Sequence, residues 1–230
     1  MPGLDISAAL HDFSILALPI VVAITFHEAA HGYVAWRLGD DTAYRLGRVS
    51  FNPLRHIDPF GTVVLPLMLF LGGGILFGYA KPVPVRFGRL AHPRRDSVLV
   101  AAAGPIINLL LALVSAGLIH LALLLPDWIG YWVISALSAS IYINVLLAIF
   151  NLIPLPPLDG GRVAVGLLPP ALGRRLAQTE RWGLLILMAG LFILPWIGSK
   201  LGLDLNIFAW LVGRPAAFIE ELILAATGLA

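Results

Sequence analysis

The chain has 230 residues, of which 59% are hydrophobic and 12% charged, with 15 Lys+Arg against 13 Asp+Glu and no cysteine. A soluble domain typically carries about 25% charged residues, so the composition excludes an ordinary soluble protein and indicates a polytopic membrane protein of one domain, 1–230. A net charge of +2 without a clustered basic face argues against nucleic acid as a partner, and the lack of Cys excludes disulfides and thiolate metal sites.

The first element is a span over about 13–37, apolar except for His27, Glu28 and His31 and longer than the roughly 20 residues a spanning helix needs. The start, MPGLDISAALHDF, has two acids and no base before this run, unlike a cleaved signal peptide. Gly61 to Tyr79 is also apolar but holds Pro66 and Gly72-Gly73-Gly74, poor residues for a helix interior. From Ser97 to Leu158 there is no Lys or Arg, and Pro126-Asp127-Trp128-Ile129-Gly130 divides that stretch into spans over about 97–125 and 129–153. A fourth span, about 182–197, is bent or ended by Pro195. The tail 205–229 carries Arg214, Pro215, Glu220 and Glu221 and reads as an interfacial or tilted helix.

Thirteen of the fifteen bases fall in three segments: after the first span, before the second and after the third. The positive-inside rule assigns all three to the cytoplasm. Were 61–79 to cross the bilayer, one basic loop would be exported, so a re-entrant segment entering and leaving on the cytoplasmic side is expected. Irregular backbone at membrane depth is tolerated only against protein or a wet cavity. The fold class is therefore an all-α polytopic membrane protein, a helical bundle with a re-entrant segment that can carry short β-strands.

The chemistry lies inside the apolar spans. His27-Glu28-Ala29-Ala30-His31 is an HExxH sequence. On a helix its two imidazoles lie one turn apart on one face and can share one zinc, with Glu28 beside the metal's water as general base. Small Ala29, Ala30 and Gly32 would let another helix approach. Ionisable groups at membrane depth cost about 2.5–3.5 kcal/mol each on insertion scales, so three within five residues mark a functional site.

A catalytic zinc usually has three protein ligands. Candidates for the third are Asp40, Asp41, His56, Asp58, Asp96 and Asp159. Asp40 and Asp41 read as solvated loop residues after Gly39, and Asp96 as a surface ion-pair partner or helix cap. Asp159 lies near the end of NLIPLPPLDGG, where three prolines break the third span and the following Gly pair permits a sharp turn that can swing its carboxylate toward the metal. Asn144 and Asn151 share a helical face, with Asn144 favoured as inter-helix glue and Asn151 as a site residue. Asn108 can cap, pack or face the cavity, and His56 reads as a turn-holding histidine with an outer-sphere or substrate role behind it. His11, His92 and His120 carry no signal.

HEAAH in the first span, GPIINLLLA at 104–112 and NLIPLPPLDGG at 151–161 resemble the site-2 protease family of intramembrane zinc metalloproteases. GRVSFNPLRHIDPFGT and FGYAKPVPV are similar to its compact prokaryotic branch without PDZ or CBS domains, for which this chain has no room. The resemblance implies a three-helix catalytic core, one Zn2+ per chain held by His27, His31 and Asp159, and Glu28 as catalytic base. It further implies that Asn151 holds substrate or the developing oxyanion, and that the re-entrant Gly61–Tyr79 segment with the following Ala80–Val85 stretch pairs with an extended substrate by strand addition. The implied partners are a transmembrane protein substrate and the lipid bilayer, with the site near the cytoplasmic face of a cell membrane; the oligomeric state is left open. A membrane metal transporter and a catalytically silent zinc-binding scaffold are the rival readings. The first would favour ligating residues repeated along several spans, and the second has no use for Glu28.

Overall fold

Long, mostly apolar stretches fold here into helices of 22 to 32 residues, and proline-containing segments between them set the breaks. The computed structural model describes residues 6–56, 58, 60, 64, 68 and 81–230. Helix α1 spans Ile6–Arg37, and a short α2, Thr42–Arg45, follows it. Helix α3 is Pro93–Ala122 and α4 is Asp127–Asn151. Then come α5, Asp159–Leu167, and α6, Pro170–Ala177. The last part holds α7, Glu180–Met188, α8, Leu194–Leu201, and α9, Arg214–Thr227. Among the described residues no strand forms, and four helical runs are long and apolar enough to cross a membrane: Leu10–Arg37, Pro93–Ala122, Asp127–Asn151 and Glu180–Leu201. The protein is thus an all-α polytopic membrane protein. The expected re-entrant segment 61–79 lies outside the described residues, Val64 and Met68 apart.

Helices α1, α3 and α4 pack on one another and form the central bundle. The chain makes the α3–α4 hairpin at Pro126, where the N–H groups of Ile129 and Gly130 donate back to the Pro126 carbonyl. Ala112, Ala116 and Ile119 of α3 meet Ile141 and Val145 of α4, and Ala216 and Ile223 of α9 close the same cluster. Small alanines let these backbones approach, which matters where lipid supplies no hydrophobic drive between helices. The tail expected to lie at the interface or at a tilt therefore has a packed face, and His120 of α3 pins its end through the Thr227 carbonyl at 2.7 Å. Leu110, Leu113, Val114 and Leu121 point outward from α3, a surface tolerable only in lipid.

Pro195 does not end the fourth run. A five-residue π-helical segment, Ala189–Ile193, precedes it, and the helix continues to Leu201. Pro215 is handled the same way, with a π segment at Ala209–Gly213 and α9 running on. A proline lacks the N–H for its helical bond and crowds the carbonyl four residues back, and a wider turn placed just before it relieves both.

Candidate metal centre

Helix α1 carries His27 and His31 one turn apart, as the four-residue spacing requires, with ring centroids 4.7 Å apart and the rings edge to face. Helix α4 stops at Asn151, before the Ile153-Pro154 pair, because a residue preceding proline is disfavoured in a helix. The chain then turns through Leu152–Leu158 and restarts as α5, with Asp159 its first residue. The Gly pair works differently from the expectation. Neither glycine has a positive φ, so they permit no special turn; they permit contact. A Cβ on Gly160 would lie 2.1 Å from the Leu152 carbonyl oxygen, and one on Gly161 2.1 Å from the Pro156 nitrogen. Only hydrogen fits there, so α5 seats directly on the broken end of α4.

That seat brings Asp159 to the histidines. Its Oδ2 lies 3.1 Å from His27 Nε2 and 3.3 Å from His31 Nε2. Two donors each about 2.0–2.1 Å from a tetrahedral zinc are separated by about 3.3 Å, so the spacing is that of a metal site. The protonation pattern agrees. His31 Nδ1 donates to the Val100 carbonyl at 2.7 Å, and His27 Nδ1 lies 2.5 Å from Asn108 Oδ1. With a proton on each Nδ1, each neutral ring presents a bare Nε2 lone pair to Asp159. Asp159 Oδ2 is buried and accepts no hydrogen bond. Two lone pairs facing a buried carboxylate oxygen form a seat that a cation would fit, and N,N,O donors of this kind suit zinc. Among the described residues, His27, His31 and Asp159 are the group of three ligating side chains that meets this condition.

Glu28 projects beside the cluster, and its Oε2 accepts the backbone N–H of Val83 at 2.7 Å. Pro82, Val83, Val85 and Phe87 form a strap along one wall of a cavity of about 260 Å³, whose floor holds the three ligating groups and Glu28. Asn151 lines the same cavity, while its Nδ2 donates to Leu147 O at 3.0 Å on its own helix. Asn108 and Asn144 are fully buried, 2.7 Å apart between Nδ2 and Oδ1, behind His27 rather than in the cavity. His56 is away from the cluster; its Nε2 donates to the Ser50 carbonyl at 2.8 Å and its own carbonyl accepts from Lys81 N at 2.9 Å, so it holds loop backbone.

Two expectations need correction, and a third is met by a short helix. Asp40 is not solvated: its side chain is buried and accepts from Thr42 Oγ1 at 2.5 Å, Thr42 N at 3.1 Å and Arg86 N at 2.5 Å. It ties the end of α1 to the strap. Asp96 is also buried rather than at the surface, and serves as the cap of α3 by accepting His92 N at 2.7 Å. Gly32 admits the short helix α2 as well as the strap: a Cβ there would meet Val83 Cγ1 at 3.0 Å, Val49 Cγ2 at 3.1 Å and Ala43 Cβ of α2 at 3.4 Å.

Gly104, a residue with no ligating chemistry of its own, also shapes this cluster. A Cβ at Gly104 would stand 2.5 Å from His27 Nε2 and 2.5 Å from His31 Nε2. Helix α3 therefore forms the back wall of the metal seat. A Gly-Pro pair inside a span is a visible signal, but what it faces is set by packing across 73 residues of chain.

The model of peptidase family M50 matches residues 15–127 and 127–194. Over 192 residues the chain is 40% identical to "Putative zinc metalloprotease YwhC" of Bacillus subtilis, covering 80% of this chain and 82% of that protein. It is 32% identical over 176 residues to "Putative zinc metalloprotease Rip2" of Mycolicibacterium smegmatis and, equally, to that of Mycobacterium tuberculosis. Those alignments cover 76% of this chain and 65% of either Rip2 protein. No solved structure matches at a significant level.

Proposed function

The chain belongs to peptidase family M50, and on that premise we propose that it is an intramembrane zinc metalloprotease, cleaving peptide bonds in or near transmembrane segments of membrane-protein substrates. The observation that carries this reading is a carboxylate, Glu28, placed beside three ligating groups yet not among them. A structural or transported ion has no use for such a group; hydrolysis does.

Bound at His27, His31 and Asp159, zinc would make a water acidic near neutral pH and polarise the scissile carbonyl. Glu28 would accept the proton of the attacking water at a carboxylate oxygen as that water's oxygen bonds to the scissile carbonyl carbon. It then returns the proton to the amine nitrogen as the C–N bond breaks, so its charge is restored in each turnover. Asn151 has a second amide N–H beyond the one given to Leu147, and that donor suits the developing oxyanion.

A substrate helix keeps its carbonyls in internal hydrogen bonds, so the scissile carbonyl is free to be attacked only where the peptide unwinds. Pro82 and Pro84 have no N–H, and that of Val83 is committed to Glu28, so an incoming strand finds only carbonyls along 82–84 until the strap shifts.

The site sits near the cytoplasmic side of a cell membrane in this reading, because the loops around it carry the basic residues. Single cysteines at Arg48, Arg89 and Arg174 should all react with an impermeant thiol reagent from the cytoplasm; labelling of the Arg89 site from outside would reverse that. The function is tested by incubating purified protein with a tagged single-span membrane protein, with and without a zinc chelator. Chelator-sensitive cleavage that zinc restores supports the reading, and cleavage unaffected by chelation ends it.

A further inference from the structure

The polar side chains buried between α1, α3 and α4 form one thread that ends on His27. Asn144 Nδ2 donates to the Ser140 carbonyl at 2.9 Å and lies 3.2 Å from Ser140 Oγ. Asn144 Oδ1 accepts from Asn108 Nδ2 at 2.7 Å, and Asn108 Nδ2 also donates to the Ala23 carbonyl at 3.3 Å. Asn108 Oδ1 faces His27 Nδ1 at 2.5 Å. Every polar atom of both amides has a partner, as burial in an apolar bundle demands.

An amide can be turned end for end with no change of shape, so its direction must be set by a partner that has one role only. Backbone carbonyls only accept. The Ser140 carbonyl claims the NH2 of Asn144, which turns Asn144 Oδ1 toward Asn108. The Ala23 carbonyl and Asn144 Oδ1 together claim the NH2 of Asn108, which turns Asn108 Oδ1 toward His27. That oxygen can only receive a proton, and Nδ1 of His27 must supply it. His31 reaches the same state in one step, through the Val100 carbonyl at 2.7 Å.

We propose that Asn144 and Asn108 are positioning residues forming a directed amide relay. The relay transmits the polarity of the Ser140 carbonyl on α4 to His27 on α1 and locks the Nδ1–H tautomer, so that Nε2 is ready for the metal. It rests on the reading of His27 as a ligand. Ser115 Oγ, 2.8 Å from Ser140 Oγ, ties the far end of the relay back to α3.

The test uses the full-length, metal-free protein with 15N-labelled histidine in an Asp159→Ala background, so that no carboxylate draws a second proton onto Nε2, and side-chain nitrogen shifts separate a protonated nitrogen from a bare one; zinc affinity is measured with Asp159 in place. His27 should show one tautomer, Nδ1–H. Asn144→Leu removes the acceptor for Asn108 at nearly constant volume, and should give His27 mixed tautomers and weaken zinc binding about 10–100-fold, as outer-sphere losses do. Asn144→Asp keeps an acceptor toward Asn108, and should retain the single tautomer and zinc affinity within about threefold of the parent. His31, fixed by backbone, should hold its Nδ1–H signal in both and serves as the control for an intact bundle. If Asn144→Leu disturbs that control, Asn144→Ala replaces it with the same expectation. A single Nδ1–H tautomer surviving in the Leu or Ala variant, or equal losses in the Asp and Leu variants, overturns the relay. Failure of the protease reading would look different: parent protein with the locked tautomer and bound zinc but no cleavage.

Discussion

Glu28 Oε2 and the backbone N–H of Val83 are joined by a hydrogen bond of 2.7 Å across 55 residues of chain. The bond holds one carboxylate oxygen toward the strap and so fixes how Glu28 stands beside the three ligating groups. It also makes Glu28 a structural contact of the strap, so its removal must be read with that in mind.

Glu28→Gln separates the two roles. The amide oxygen still accepts from Val83, so the strap stays in place and zinc content should remain at one per chain. Proteolysis should fall by about 10²–10⁴-fold with the loss of the proton acceptor. Metal analysis beside a cleavage assay checks it; zinc lost together with activity would make Glu28 a ligand.

Asp159→Ala should leave a two-histidine site, with zinc affinity reduced by more than the roughly 10–100-fold typical of an outer-sphere change. His56→Ala should keep near-stoichiometric zinc, because His56 bonds to loop backbone. Titration of both purified variants with zinc decides the point. The reverse pattern would transfer the third-ligand role to His56.

Gly104→Ala is the smallest change that reaches the metal seat from outside the motif. Its methyl would stand 2.5 Å from both Nε2 atoms, closer than carbon and nitrogen can pack. Either the imidazoles turn away or α3 moves off α1, and zinc binding should be lost in both cases. Zinc bound normally by this variant would show that α1 and α3 lie farther apart than described.

Asp40 gives a prediction in pH. Burial alone would raise its pKa, but hydrogen bonds from the Thr42 side chain, the Arg86 backbone and the Thr42 backbone outweigh it, with Arg89 adding attraction, and the carboxyl lies below its ordinary value. A depressed pKa contributes stability that is complete above the unfolded value of about 3.9 and is lost as pH falls through the lower folded value. Asp40→Ala should therefore destabilise the protein at pH 7 by about 1–3 kcal/mol and flatten the acid limb below about pH 4. Asp41→Ala, which breaks only the exposed pairs with Arg45 and Arg89, should cost under about 1 kcal/mol. Thermal unfolding in detergent between pH 3 and pH 7 compares the two; equal effects would remove the special role of Asp40.

The parts legible in the sequence were those with a local physical signature. Charge-free runs marked the long helices, and the i,i+4 spacing put His27 and His31 on one face. The prolines after Asn151 marked the end of α4 and brought Asp159 into consideration. What stayed hidden depends on distant contacts. Asp40 looked like a loop acid because its donors include a backbone N–H 46 residues away. Gly160 and Gly161 suggested a turn because flexibility is a property of glycine, whereas their use as contact points belongs to the partner. Asn108 could not be assigned from its own helix, since its role is divided between Ala23, His27 and Asn144 on two others.

The wide turns before Pro195 and Pro215 change how the last third of the chain must be counted. Along a regular helix, residues four apart share a side; across Ala189–Ile193 the matching residues are five apart. The apolar pattern of Glu180–Leu201 thus consists of two helical stretches out of step by one residue, and a single period fitted through both misplaces one of them. Deleting one residue from Ala189–Ile193 would restore a regular count and drive the Pro195 ring against the carbonyl four positions back. A one-residue insertion in the loop after Leu201 would merely lengthen a loop. Length changes of equal size are therefore unequal in consequence here, and the costly ones fall inside the helix.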